Sequence, residues 1–208
     1  MLVPKAMNIR NVLPMEKQDL KNDRFEWADD PRKRLVVSFA PHLGDYFLSN
    51  SRFVTAVKCY EISCPAGSTY ASQSNFTVMY GTNKIAAARA AAQASICFDN
   101  EFEKVSNDDR QRYRRLAFKW VESEIGICRI ASQREGIAGG FATYLDGKSK
   151  KEIGINLSLL MLHKELEPIR NPIFINQMSK EDRDRAKKIW DEVRTLYEMT
   201  FDTEISQN

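Results

Sequence analysis

Arg110, Arg112, Arg114, Arg115 and Lys119 fall within one short stretch, with Tyr113 and Phe118 between them. Guanidinium forks match the oxygens of a phosphate group. An exposed aromatic ring can stack on an unpaired base. Between Lys104 and Arg134 there are eight basic and four acidic residues, a local excess of four positive charges. Charge clustered in this way is the electrostatic footprint of a nucleic-acid-binding element, though an unspecific one. The residues it nominates are Arg110, Arg112, Arg114, Arg115, Phe118, Lys119, Arg129 and Arg134. The competing account is a solvated helix face, with Phe118 buried because the helix is covered on two sides.

A second place for an anion is Gly81-Thr82-Asn83-Lys84. Free amides at a helix start attract negative charge, and a lysine beside them helps. The spacing of a Walker A loop is absent, and an ordinary capped helix explains the same residues. Gly136, Gly139 and Gly140, between Arg134 and Lys148, fit a glycine-rich hairpin loop better than a basic flap. They do not form a dinucleotide fingerprint.

Other catalytic chemistry finds little support. The carboxylates are dispersed, and the histidines are His42 and His163. His42 could meet Asp45 locally, whereas His163 sits among apolar residues and reads as a satisfied core side chain. Cys59, Cys64, Cys97 and Cys128 show neither CxxC spacing nor a histidine cluster. They read as reduced thiols of a cytoplasmic-type compartment. No metal site and no cofactor are expected.

The elements that must carry these residues follow from periodicity. Asn83 is placed to cap an alanine-rich helix running to Val105, and its composition makes the local helix signal strong. Ser106 followed by Asp109 resembles a capping box. A second helix follows, with Tyr113, Leu116, Ala117 and Trp120 on one stripe and Gly126 as its left-handed end. Ser179 to Asp182 starts a third, amphipathic helix carrying Ala186, Ile189, Trp190, Val193 and Tyr197. Glu181–Arg185 and Asp184–Lys188 are favourably spaced along it. Leu157 to Leu166 reads as a buried helix ending before Pro168.

Strands are expected elsewhere. Leu35 to Phe39 is β-rich and is followed by Pro41. Alternation over Arg52–Ile62 and Thr69–Tyr80 suggests a hairpin. Ile127–Ala131 reads as a short strand, and Phe141–Leu145 with Glu152–Ile155 as a hairpin around Asp146-Gly147.

The chain has 208 residues, 43% hydrophobic and 28% charged, with a net charge of +3. That suits one soluble domain with a proper core. No run of ~18 apolar residues suggests a membrane span, and the first residues lack the apolar core of a signal peptide.

The expectation is therefore an α+β fold, with a small antiparallel sheet packed on a helical core. Residues 1–34 form an irregular N-terminal arm, 35–201 the domain and 202–208 a tail. The expected function is non-enzymatic binding of RNA or DNA by an oligomeric protein. The alternative is a structural assembly subunit that contacts its neighbours through the arm and the C-terminal helix. A small enzyme ranks third.

Overall fold

The computed structural model describes residues 31–63, 81–97, 105–133 and 150–205, and these are helical throughout apart from short links. In chain order the helices are α1 (Pro31–Ser49), α2 (Phe53–Ser63), α3 (Gly81–Ala94), α4 (Asn107–Gln133) and α5 (Lys150–Leu162). A single-turn elbow at Lys164–Leu166 leads to the short α6 (Glu167–Arg170) and α7 (Pro172–Ile175), and α8 (Lys180–Ile205) closes the fold. No strand occurs among the described residues, so the expected sheet is overturned. The expected partner strands at Thr69–Tyr80 and Phe141–Leu145 lie outside the described residues.

The stack is built around α3. Ala87, Ala88, Ala90, Ala91, Ala92 and Ala94 are all fully buried, so small side chains meet neighbours on every side. Such a helix lets its neighbours approach closely, and α3 packs on α2, on α4 and, through its later turns, on the elbow. In turn, α8 packs on α4 and α5, while α1 packs on α2 and α3. The core between α4, α5 and α8 is filled by Trp120, Val121, Ile125, Leu157, Leu160 and Val193.

Each misread segment became helix for a physical reason. The residues read as a strand at 35–39 lie in α1, which continues through Pro41. Proline removes one helical donor, but Ala40, Gly44 and Phe47 are buried at helical spacing and hold the helix onto its neighbours. In α2 the buried residues are Val54, Ala56, Val57 and Tyr60, a helical set that outweighs the β-branched alternation. Gly126 does not end α4, and the strand expected at Ile127–Ala131 is helix. Ile127 and Cys128 are buried, and α4 reaches Gln133. Glu152–Ile155 belongs to α5.

Where the helices begin and end is mostly set by side chains. The Asp109 amide donates to Ser106 Oγ at 3.1 Å, and the Ser106 hydroxyl donates to Asp109 Oδ2 at 2.7 Å. The Asp182 amide donates to Ser179 Oγ at 3.1 Å. Both serine caps were legible in the sequence. Asn83, by contrast, lies inside α3 rather than at its cap, and α3 ends at Ala94 rather than at Val105. The α1–α2 turn is a Schellman closure. Ser51 has φ 57°, Ser51 N–H donates to the Leu48 carbonyl at 3.1 Å, and Arg52 N–H donates to that of Phe47 at 2.9 Å.

Candidate functional site

The arginine-rich half of α4 faces two ways. Tyr113, Ala117 and Trp120 form its buried stripe, and Phe118 is buried as well because α8 covers a second side. The Arg185 guanidinium lies 5.5 Å from the centre of the Phe118 ring. Phe118 is therefore a core residue, and the expected base-stacking platform is corrected.

Three of the expected phosphate contacts have partners within the protein. Arg112 pairs with Glu61 of α2 at 2.5 Å and lies 5.4 Å from the Tyr113 ring centre. Arg114 turns toward the buried Asp182 of α8, at 3.9 Å. Burial pulls the Arg114 guanidinium below its ordinary pKa, with Asp182 opposing the shift. Arg129 pairs with Glu192.

Across the same seam Glu122 accepts two bonds from Arg185, at 2.8 and 2.7 Å. Those bonds hold the Arg185 guanidinium above its ordinary pKa, against the effect of burial. Arg185 thus joins Glu122 rather than the expected Glu181. An exposed ion pair contributes only about 0–1 kcal/mol. The larger effect is that acids from α2 and α8 cancel much of the positive excess of α4.

What remains outward is a narrow stripe. Arg115 and Lys119 are exposed and have no ion pair among the described residues, and half-exposed Arg112 lies one turn before them. Arg110 is half-buried at the start of α4. Arg134 lies outside the described residues.

The second expected anion site is also rearranged. α3 begins at Gly81, so Gly81, Thr82 and Asn83 occupy its first turn. Lys84, however, is buried, and its ammonium donates to Ser123 Oγ of α4 at 2.6 Å. It serves the interior, not a surface anion.

One turn-face away, Glu124 is fully buried and accepts from Asn156 Nδ2 of α5 at 2.8 Å. Two polar contacts, Lys84–Ser123 and Asn156–Glu124, thus tie α4 to α3 and to α5. The sequence did contain the signal of Glu124: it continues the Tyr113–Ala117–Trp120 stripe by one further turn.

His163 is not a core histidine. It lies half-buried at the elbow, with Nδ1 3.6 Å from Glu165 Oε2. Glu165 also accepts from Arg89 at 2.5 Å, and its backbone carbonyl accepts from Gln93 at 2.9 Å. Burial lowers the His163 pKa, Arg89 lowers it further, and Glu165 only partly offsets them. Asp45 does not engage His42; it accepts from the Tyr60 hydroxyl at 2.6 Å.

Cys59, Cys97 and Cys128 are free thiols, and burial pushes that of Cys59 up to about 11. Among the described residues no group of three or more His, Cys, Asp or Glu side chains is placed to hold a metal ion. No helix among them is long and apolar enough to cross a membrane.

The α8 aromatic stripe is spent inside the molecule. Ile189, Trp190 and Val193 are buried, and Trp190 Nε1 donates to the Ile169 carbonyl at 2.6 Å. The large exposed apolar side chains lie elsewhere. On α1, Phe39 (57% exposed), Leu43 and Tyr46 (61%) share one outer stripe. On α5, Ile155 and Leu162 (75%) share another, with Met199 (62%) on the neighbouring α8. No protein-family model, curated protein or solved structure matches this chain.

Proposed function

We propose that this chain is a non-enzymatic assembly subunit that acts by associating with copies of itself or with other macromolecules. The observation that supports this reading is the pair of outward apolar stripes, on α1 and on α5, among the described residues. Single exposed apolar residues are ordinary, but stripes of them along a helix mark contact surfaces. The contacts expected of the C-terminal helix pass to these stripes, because the aromatic face of α8 is occupied internally. Sedimentation of the full chain over a hundredfold concentration range tests this reading: average mass should rise with concentration, and a monomer throughout rejects it.

A second reading is favoured by Arg115 and Lys119. Two exposed cations without ion pairs among the described residues, beside Arg112, suit contacts to a nucleic-acid backbone rather than to bases. Affinity from one subunit would be low. In an assembly the same weak contact repeats along a strand and gains through multivalency.

A further inference from the structure

We infer that the elbow at Lys164–Leu166 is a proton-operated latch, held on α3 while His163 is neutral and let go when His163 takes up a proton. This goes beyond the assembly reading and does not depend on it.

The latch has a hinge at one end. α5 stops at Leu162, and His163 is extended, with φ −63° and ψ 119°, before the chain turns helical again at Lys164. The His163 N–H donates to the Leu159 carbonyl at 3.0 Å, and the His163 carbonyl accepts from the Leu166 N–H at 3.2 Å. A single extended residue between two helical segments is where a small change in φ and ψ moves the elbow as a unit.

The fastening is concentrated beside that hinge. Arg89 of α3 donates to Glu165 Oε1 at 2.5 Å, and Gln93, one turn later, donates to the Glu165 carbonyl at 2.9 Å. Leu166, fully buried, supplies the apolar part. Both bonds from α3 thus end on Glu165. The His163 ring lies beside the same carboxylate, with Nδ1 3.6 Å from Oε2.

Charge decides what a proton does there. The charged groups acting on His163 are Arg89 from α3, Glu165 from the elbow and Arg170 from α6, and Glu167 of α6 acts in turn on Arg170. Two guanidiniums therefore face the imidazole against one carboxylate, and Arg89 already engages that carboxylate. A neutral ring fits this setting. An imidazolium repels both arginines and competes with Arg89 for Glu165. Burial, then Arg89, holds the latched ring below the ordinary 6.5; Glu165 opposes and Arg170 adds to the lowering. In the released elbow the ring is hydrated and binds its proton more tightly. The latched form is therefore favoured above 6.5 and loses ground as pH falls through 6.5 toward the lower, latched value. Opening one such segment costs less than unfolding the whole chain.

The test is amide exchange followed by NMR on the full chain, from about pH 7.5 to about pH 5, the range in which histidine changes charge. Protection factors, corrected for the pH dependence of intrinsic exchange, are read at the Leu166 and Glu167 amides of the elbow. Ala186 to Val193 of α8 serve as the reference, and the His163 ring is titrated in the same sample. Elbow protection should fall by about threefold or more toward pH 5 while α8 stays level, and the ring should titrate below 6.5. One proton limits the change to about tenfold per pH unit. His163→Gln, which carries no charge at any of these pH values, should hold its elbow protection level. Level protection in the wild type, an equal loss in α8, a ring that titrates at or above 6.5, or an undiminished pH response in His163→Gln overturns the latch.

Discussion

The Tyr60 ring lies so close over Gly44 that a β-carbon on Gly44 would fall 2.7 Å from ring atoms Cε1 and Cζ. The ring cannot easily move, because Tyr60 is fully buried and its hydroxyl is tied to Asp45 at 2.6 Å. The α1–α2 hairpin is thus set by one glycine and one tyrosine. Gly44→Ala should lose stability despite its better helix propensity. Overpacking of ~1–3 kcal/mol exceeds the gain of about 0.8–1 kcal/mol from replacing a helical glycine. Urea unfolding should show a lower midpoint with an unchanged slope.

Gly126 is the opposite case. A β-carbon there meets nothing within 4 Å, and the residue sits inside α4. Gly126→Ala should raise stability by about 0.5–1 kcal/mol. Ser51, with φ 57°, occupies the left-handed position that glycine prefers. Ser51→Gly should gain roughly 1 kcal/mol. A fall in the urea midpoint for either variant contradicts the backbone conformation at that residue.

Asn156 supplies the α5 donor to buried Glu124. Asn156→Ala should cost about 1.5–3 kcal/mol, the usual range for a hydrogen bond to a charged group. Asn156→Leu adds apolar bulk but supplies no donor, so it should not recover that loss. Full recovery in the leucine variant would show that packing, not the bond, holds α5 on α4.

Stability should fall as the solution is acidified, in two windows. The folded pKa of His163 lies below its ordinary 6.5, chiefly through burial and then Arg89. The unfolded chain therefore takes up that proton first, and stability declines as pH falls through 6.5. For Glu165, burial acts upward, but the bond from Arg89, a backbone hydrogen bond and the charges of Arg89 and His163 together outweigh it, and the folded pKa lies below the ordinary 4.5. Its contribution is present above that value and is lost as pH falls further. His163→Gln should flatten the decline in the upper window only, as read from unfolding midpoints across pH.

Arg115→Glu with Lys119→Glu should abolish retention of single-stranded nucleic acid on a filter. In the wild type, two or three phosphate contacts predict a log–log salt slope of roughly −1.4 to −2.1 on a single strand. Reversal of Arg114, which faces Asp182, should instead impair folding. Retention that survives the Arg115/Lys119 reversal removes the second functional reading.

Features that depend on near neighbours in the chain could be read before any folding was considered. The Ser106–Asp109 and Ser179–Asp182 caps, the alanine-rich helix, and the buried stripes of α4 and α8 all follow from spacing and propensity. The positive stretch on α4 was legible too, since charge is a property of composition. The rest needed contacts between distant segments. β-branched Val54 and Val57 became helical because Tyr60 and Gly44 lock α2 against α1. Gly126 stayed within α4 because Ile127 and Cys128 are buried beyond it. Partners far away in the chain, Glu61, Asp182 and Glu192, decided which arginines are paired. Local propensity is worth tenths of a kcal/mol per residue, whereas burying one large side chain is worth about 1.5–3 kcal/mol. Where the two compete, packing sets the backbone and the direction each charge points.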